Sequence, residues 1–189
     1  MPLLILASAS PRRLALLAQV GIVPDQVRPA DIDETPHRGE LPRPYAERMA
    51  SEKARRAAVP GAYTLAADTV VALGRRIMPK AADADEVRAC LGLLSGRRHH
   101  VLTALVLVAP DGAASARVSD SVVGLARLLP QQVEAYAACG EGVGKAGGYA
   151  IQGRAAAWVR FLSGSYSGVV GLPLFEACQV LRGRGYPVP

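Results

Sequence analysis

Ser8-Ala9-Ser10-Pro11-Arg12-Arg13 sets two hydroxyls and two guanidinium groups at the start of a predicted helix. The positive end of a helix dipole and its unpaired N–H groups disfavour cations, so arginines in a first turn point to an anion that belongs there. Three more cations stand apart in the chain: Lys53 in the apolar stripe of a helix, Lys80 in a loop, and Lys145 in a glycine-rich stretch. Two carboxylates are oddly placed, Glu34 in an acidic loop bounded by prolines and Asp68 in the apolar run Leu65–Val71. No nucleophile is paired with a general base. Such an inventory suits metal-assisted attack on a phosphate, which needs positioning and charge neutralisation more than covalent chemistry. Oxygen ligands favour Mg²⁺ or Mn²⁺ over zinc.

Each residue also has a plainer reading. Arg12 and Arg13 could be solvated on an ordinary amphipathic helix, and Lys53 either snorkels along its alkyl stem or pairs with a buried anion. An ionised Asp68 needs a cation, a metal or several hydrogen bonds, unless it caps a strand end. Taken singly, Lys80 reads as solvated, and Gly144–Gly153, with Lys145 and Gln152, as a glycine-rich turn. His99 and His100 are adjacent on a strand and far from His37, a poor metal set.

The elements that must position these groups alternate in type. Leu3–Leu6 reads as a short buried strand, and the helix from Pro11 has Ser10 as N-cap and Gly21 as stop. A second strand is expected over Ile22–Pro29, a helix over Pro42–Val59, and a strand or strand pair over Tyr63–Leu73. In the second helix Ala46, Ala50, Lys53 and Ala57 share one face, with Arg48, Glu52, Arg55 and Arg56 opposite. Asp83-x-x-Glu86 is a capping-box start for a helix to about Leu94. Val101–Val108 and Ala116–Leu128 form a hairpin about Pro110-Asp111-Gly112, followed by helices over Pro130–Cys139 and from Leu172 to about Arg182.

The 189 residues, half of them hydrophobic, suffice for one domain, 1–189, with a core divided into two lobes around a cleft. The net charge of +6 comes without a long basic run, and two Phe and one Trp make a poor base-stacking platform, so a small polyanion fits better than nucleic acid. Cys90, Cys139 and Cys178 are widely spaced in apolar surroundings and read as buried thiols. No apolar run approaches membrane-spanning length, and no basic stretch precedes Met1–Ala9 as in a secretory signal. The reading is a cytoplasmic protein without membrane partners.

A larger pattern joins these blocks: Ser8-x-Ser10-Pro11-Arg12-Arg13, Asp33-Glu34, Lys53-Ala54, Ala67-Asp68-Thr69-Val70-Val71, Leu94-Ser95-Gly96 with His99 and Thr103, Gly144-Lys145-Ala146-Gly147-Gly148-Tyr149-Ala150-Ile151-Gln152-Gly153, and Val169-Val170-Gly171-Leu172-Pro173. In order and over nearly the whole chain, it resembles the Maf family of nucleoside triphosphate pyrophosphatases. The resemblance implies an α/β fold like that of the inosine triphosphate pyrophosphatases, a mixed twisted sheet with flanking helices in two lobes around a nucleotide cleft, commonly in a homodimer. It implies cleavage of the α–β phosphoanhydride bond, with Asp68 as proton acceptor, Glu34 joining it around a divalent ion, and Ser8, Arg13, Lys53 and Lys80 on the triphosphate. Arg12, Thr69 and Gln152 match the dTTP/UTP-hydrolysing branch; the branch acting on 7-methyl-GTP carries a bulky residue, Gln and Glu there. An amide can both donate to and accept from a pyrimidine edge. The family's Gly-Lys-Pro around the loop lysine is here Pro79-Lys80-Ala81, which moves the fixed φ from the residue after Lys80 to the one before it. The family's association with septum formation leaves a second expectation, a nucleotide-binding regulator of cell division with little hydrolysis.

Overall fold

The computed structural model describes residues 2–189; Met1, where the expected single domain begins, lies outside them. Leu4–Leu6 (β1) is a fully buried strand and Pro11–Gln19 (α1) follows it. Gly21, at φ 73°, turns the chain just beyond the helix end, a left-handed conformation that glycine adopts without a Cβ penalty. Ser10 holds the N-cap position, but its side chain makes no capping bond. The expected second strand contracts to Gln26–Val27 (β2), bracketed by Pro24 and Pro29, which have no N–H to donate to a ladder.

Pro42–Ala57 (α2), Tyr63–Leu73 (β3), Arg76–Ile77 (β4) and Ala84–Leu94 (α3) come next. At the start of α3 the Asp83 carboxylate accepts from Glu86 N (2.9 Å), but the Glu86 carboxylate accepts from Ala82 N rather than Asp83 N, so the capping box is shifted by one residue. Arg98–Val108 (β5) and Ala114–Leu125 (β6) make the hairpin, then Pro130–Ala138 (α4), a 3₁₀ turn over Arg154–Trp158 and Val159–Ser163 (β7). The single C-terminal helix expected from Leu172 is instead preceded by a short one, Tyr166–Val170 (α5), before Leu174–Gly183 (α6). Gly171 (φ 142°) and Pro173 separate the two.

One seven-stranded sheet runs β2-β1-β3-β5-β6-β7, with β4 on β3. The β1–β2 and β1–β3 pairs are parallel and the rest antiparallel, so the α/β mixed sheet expected from the sequence is what forms. Alternation along the long central strands assigns each residue a face. On one face Leu65, Ala67, Leu105 and Leu107 pack with α1 and α6, while Val71 and Val101 pack with α3 and α4. Thr69 and Thr103, paired across the strands, lie between these two halves. On the other face Ala66, Val70, Ala72, Leu102, Ala104 and Val106 meet the alanine-rich side of α2. Small side chains on both surfaces let helix and sheet approach closely, which brings a short Asp68 side chain within reach of Lys53.

The cleft follows from unequal strand lengths. β1 pairs β3 only up to Leu65, and β4 joins β3 only at Ala72. The stretch of β3 between them, with Asp68 and Thr69, is flanked by no strand on that side. Loops fill the gap: Ala7 to Ser10 after β1, and the segment around Lys80 after β4. Of the three cysteines expected to be buried, Cys90 is, Cys178 is partly so and Cys139 is exposed, because it caps the end of α4.

Candidate active site

A cleft of about 280 Å³ opens at this gap and is lined by Ser8, Ser10, Arg12, Arg13, Glu34, Lys53, Asp68, Thr69, Lys80, Lys145 and Gln152. These are all the candidate site residues read from the sequence, drawn from both faces of the sheet. Asp68 is 2% exposed and Lys53 7%. Lys53 Nζ lies 2.6 Å from Asp68 Oδ1 and 2.7 Å from Glu34 Oε1, so Lys53 pairs rather than snorkels. The second oxygen of Glu34 is taken by Lys80. Burial, the largest single influence on Glu34, pushes its carboxyl up, but the hydrogen bonds from Lys53 and Lys80 together outweigh it and hold the group down at about 2.

With Pro79-Lys80-Ala81 in the loop, Lys80 lines the cleft. Its backbone forms an antiparallel bridge with Ala146, flanked by Gly144 N to Ala81 O (2.7 Å) and Gly147 N to Pro79 O (2.9 Å). Those bonds tie the lysine loop to the glycine-rich segment. Gly147, at φ 68°, passes so close to Val71 that a Cβ would stand 2.9 Å from Cγ1, which is why the approach needs glycine.

Arg13 is half-buried, and each of its three guanidinium nitrogens has a partner. Its Nε donates to Gly171 O (2.8 Å), Nη1 to Ser8 Oγ (2.8 Å) and Nη2 reaches Thr69 Oγ1 at 3.5 Å. Burial lowers its pKa and the Asp68 charge opposes that, so the guanidinium is a fixed positive plate beside the carboxylate. Thr103 Oγ1 lies 2.7 Å from Gly168 O and 3.0 Å from Thr69 Oγ1. One hydroxyl proton cannot serve both oxygens, and the shorter contact to the carbonyl claims it, so Thr69 donates to Thr103 and accepts from Arg13. Arg12 differs: its Nε is buried without a partner, and burial lowers its pKa. The Lys145 pKa is lowered by burial and then by the Arg12 charge, and among the described residues its Nζ meets only Val143 O at 3.3 Å. Two neighbouring cations with no paired carboxylate among the described residues are the electrostatic signature of a site for an anion. Ser10 and Gln152 line the same space, and among the described residues no partner takes the Gln152 amide.

Two parts of the site escaped the sequence reading. Val71, Val101, Tyr149, Ile151, Val169 and Val170 give the cleft an apolar wall, contributed by four separate segments. His99, set aside as a metal ligand, is 1% exposed and bonds through Nε2 to Tyr149 OH at 2.7 Å, behind that wall. The family pattern contains both residues, but nothing in their spacing says that they touch.

The model of the Maf-like protein family matches residues 3–184. The chain belongs to the Maf family. Relatives include a dTTP/UTP pyrophosphatase of Rhodospirillum rubrum, 59% identical over 97% of this chain and 88% of that one. One of the same name from Caulobacter vibrioides is 57% identical over 98% and 97%, and one from Sphingopyxis alaskensis 54% over the full length of both. Among the described residues of this Maf protein no helix is long and apolar enough to cross a membrane.

Proposed function

We propose that this Maf protein hydrolyses dTTP and UTP to the nucleoside monophosphate and pyrophosphate, by attack of water on the α-phosphate. The observation that carries the reading is the single ammonium of Lys53 held between the carboxylates of Asp68 and Glu34, in a cleft that Arg12, Arg13 and Lys145 also line. The names of its relatives favour hydrolysis over the regulatory alternative.

The donor set fits a hard divalent cation, Mg²⁺ or Mn²⁺. Oxygens from β3 and from the segment between β2 and α2 already converge on one positive charge, and two carboxylates completed by substrate phosphates are a usual complement for such ions. Glu34 and Asp68 would hold it, and when bound it would acidify the attacking water and offset phosphate charge. Asp68 accepts the water's proton, with Lys53 Nζ 2.6 Å from its Oδ1 holding the carboxylate in place. Lys53, Lys80, Arg13 and the Ser8 hydroxyl that Arg13 orients hold the phosphates, with Lys145 and the uncapped Ser10 at the margin. Arg12, Thr69 and the free Gln152 amide select the base, whose ring the apolar wall accepts. Activity in a cytoplasmic homodimer, with no nucleic-acid or membrane partner, completes the reading.

Pyrophosphate release across a panel of ribo- and deoxyribonucleoside triphosphates, with and without Mg²⁺, tests it. Metal-dependent release from dTTP and UTP above all others is expected. Tight nucleotide binding without release would overturn it in favour of the regulator.

A further inference from the structure

Residues 28–41, which carry Glu34, join β2 to α2 without a strand or helix of their own. No ladder fixes this segment, yet its carboxylate must sit between two lysines that come from other elements. We propose that Tyr45 and Arg48, on the first turns of α2, are positioning residues that strap the acidic segment over the cleft and so set where the Glu34 carboxylate stands. This rests on the hydrolase reading above and extends it to two residues outside the cleft lining.

The contacts divide the work. Tyr45, 7% exposed, donates from its hydroxyl to the backbone carbonyl of Glu34 itself (2.7 Å). Arg48 donates from Nη2 to the carbonyl of the next residue, Thr35 (3.1 Å), and grips both oxygens of Glu40, Nε to Oε1 at 2.8 Å and Nη2 to Oε2 at 2.7 Å. Glu40 in turn accepts from His37 N (2.9 Å), closing the far end of the segment. Planar bidentate pairing of this kind is directional, and the two side chains are only 21% and 11% exposed, so the pair is less weakened by solvent than an ordinary surface bridge. The guanidinium stacks 5.5 Å from the Tyr45 ring centroid, which makes one unit of the two anchors. The helix beneath is rigid, because its other face is buried against the sheet. Carbonyls, unlike side chains, fix the Cα to which the catalytic carboxylate is attached, so the strap acts on Glu34 through the backbone.

Tyr45→Phe removes one hydroxyl, and Arg48→Lys keeps the charge but cannot span Glu40 and Thr35 O together. Two measurements decide. Amide hydrogen exchange of residues 28–41 is expected to quicken about tenfold or more in either variant while β3 and β5 keep their protection. Turnover of dTTP is expected to fall about tenfold at nearly unchanged KM, since displacing a catalytic group by a fraction of an ångström is costly. In a Glu34→Gln background, read by single turnover with excess enzyme, Tyr45→Phe is expected to add nothing, because the group being positioned is gone. Unchanged exchange in the segment, or a Tyr45→Phe penalty of the same size with and without Glu34, would overturn the proposal. A wild-type enzyme inactive on every nucleotide would fail the hydrolase reading alone, and the exchange result would still decide the strap.

Discussion

Replacing either member of the Asp68–Lys53 pair removes the same 2.6 Å contact, but the consequences should differ. In Asp68→Asn the lysine keeps Glu34 at 2.7 Å, so no buried charge is stranded. In Lys53→Met, Asp68 loses the one cation bonded to it and is left deep in the protein with only the unbonded Arg13 charge nearby, and breaking a buried pair from that side costs about 3–5 kcal/mol. Asp68→Asn is therefore expected to fold nearly as well as wild type while losing roughly 10²-fold or more in turnover, the scale of one preorganised electrostatic group. Lys53→Met should melt on the order of 10 °C lower as well as losing activity. Calorimetry beside pyrophosphate release checks both; equal melting losses would mean that Glu34 does not support Lys53. At this scale the sequence was informative about which residues are out of place. Asp68 in an apolar run and Lys53 on an alanine face each signal a missing partner, but at fifteen positions apart neither reveals that the partner is the other.

Elements were legible where a local rule governs them. Proline at the first turn marks α1, α2 and α4, and β-branched alternation marks β5 and β6. They were illegible where tertiary structure decides: the short helix α5 was not expected, and it ends at Gly171, whose carbonyl accepts from Arg13 Nε across the cleft. The His99–Tyr149 contact is of this second kind, a strand side chain bracing the glycine-rich segment. His99 Nδ1 is buried with no partner, and burial, helped by the His100 charge, lowers its pKa to about 4. The folded protein thus prefers the neutral ring, whereas the unfolded chain takes up a proton near 6.5. Stability from this site is intact above pH 6.5 and is lost as pH falls toward 4, by a total on the order of 3 kcal/mol. His99→Gln, which gains no proton, should lack that leg. Denaturant unfolding at pH 7 and pH 4.5 is expected to show wild type losing more stability than the variant; parallel losses would assign the acid sensitivity elsewhere.

For the whole molecule, the site exists because segments from Ser8 to Gln152 meet where β1 is too short to cover β3, a fact of topology that no single segment encodes. The net charge of +6 alone would say little, whereas the five cations (Arg12, Arg13, Lys53, Lys80, Lys145) and two carboxylates (Glu34, Asp68) that the sequence reading groups together line one cleft. That local excess should draw a triphosphate in from solution as well as hold it. Long-range attraction is screened over about 10 Å at 0.1 M salt, while the paired groups inside are screened much less. Raising KCl from 20 to 500 mM at fixed Mg²⁺ is therefore expected to lower kcat/KM for dTTP by roughly tenfold and to leave kcat nearly unchanged. Arg12→Gln, which removes a cation that no carboxylate among the described residues pairs with, should flatten that dependence more than Lys80→Gln, whose charge is paired with Glu34. Equal slopes for the two variants would show that the unpaired cations do not draw the substrate in, and that the cleft only holds what diffusion delivers.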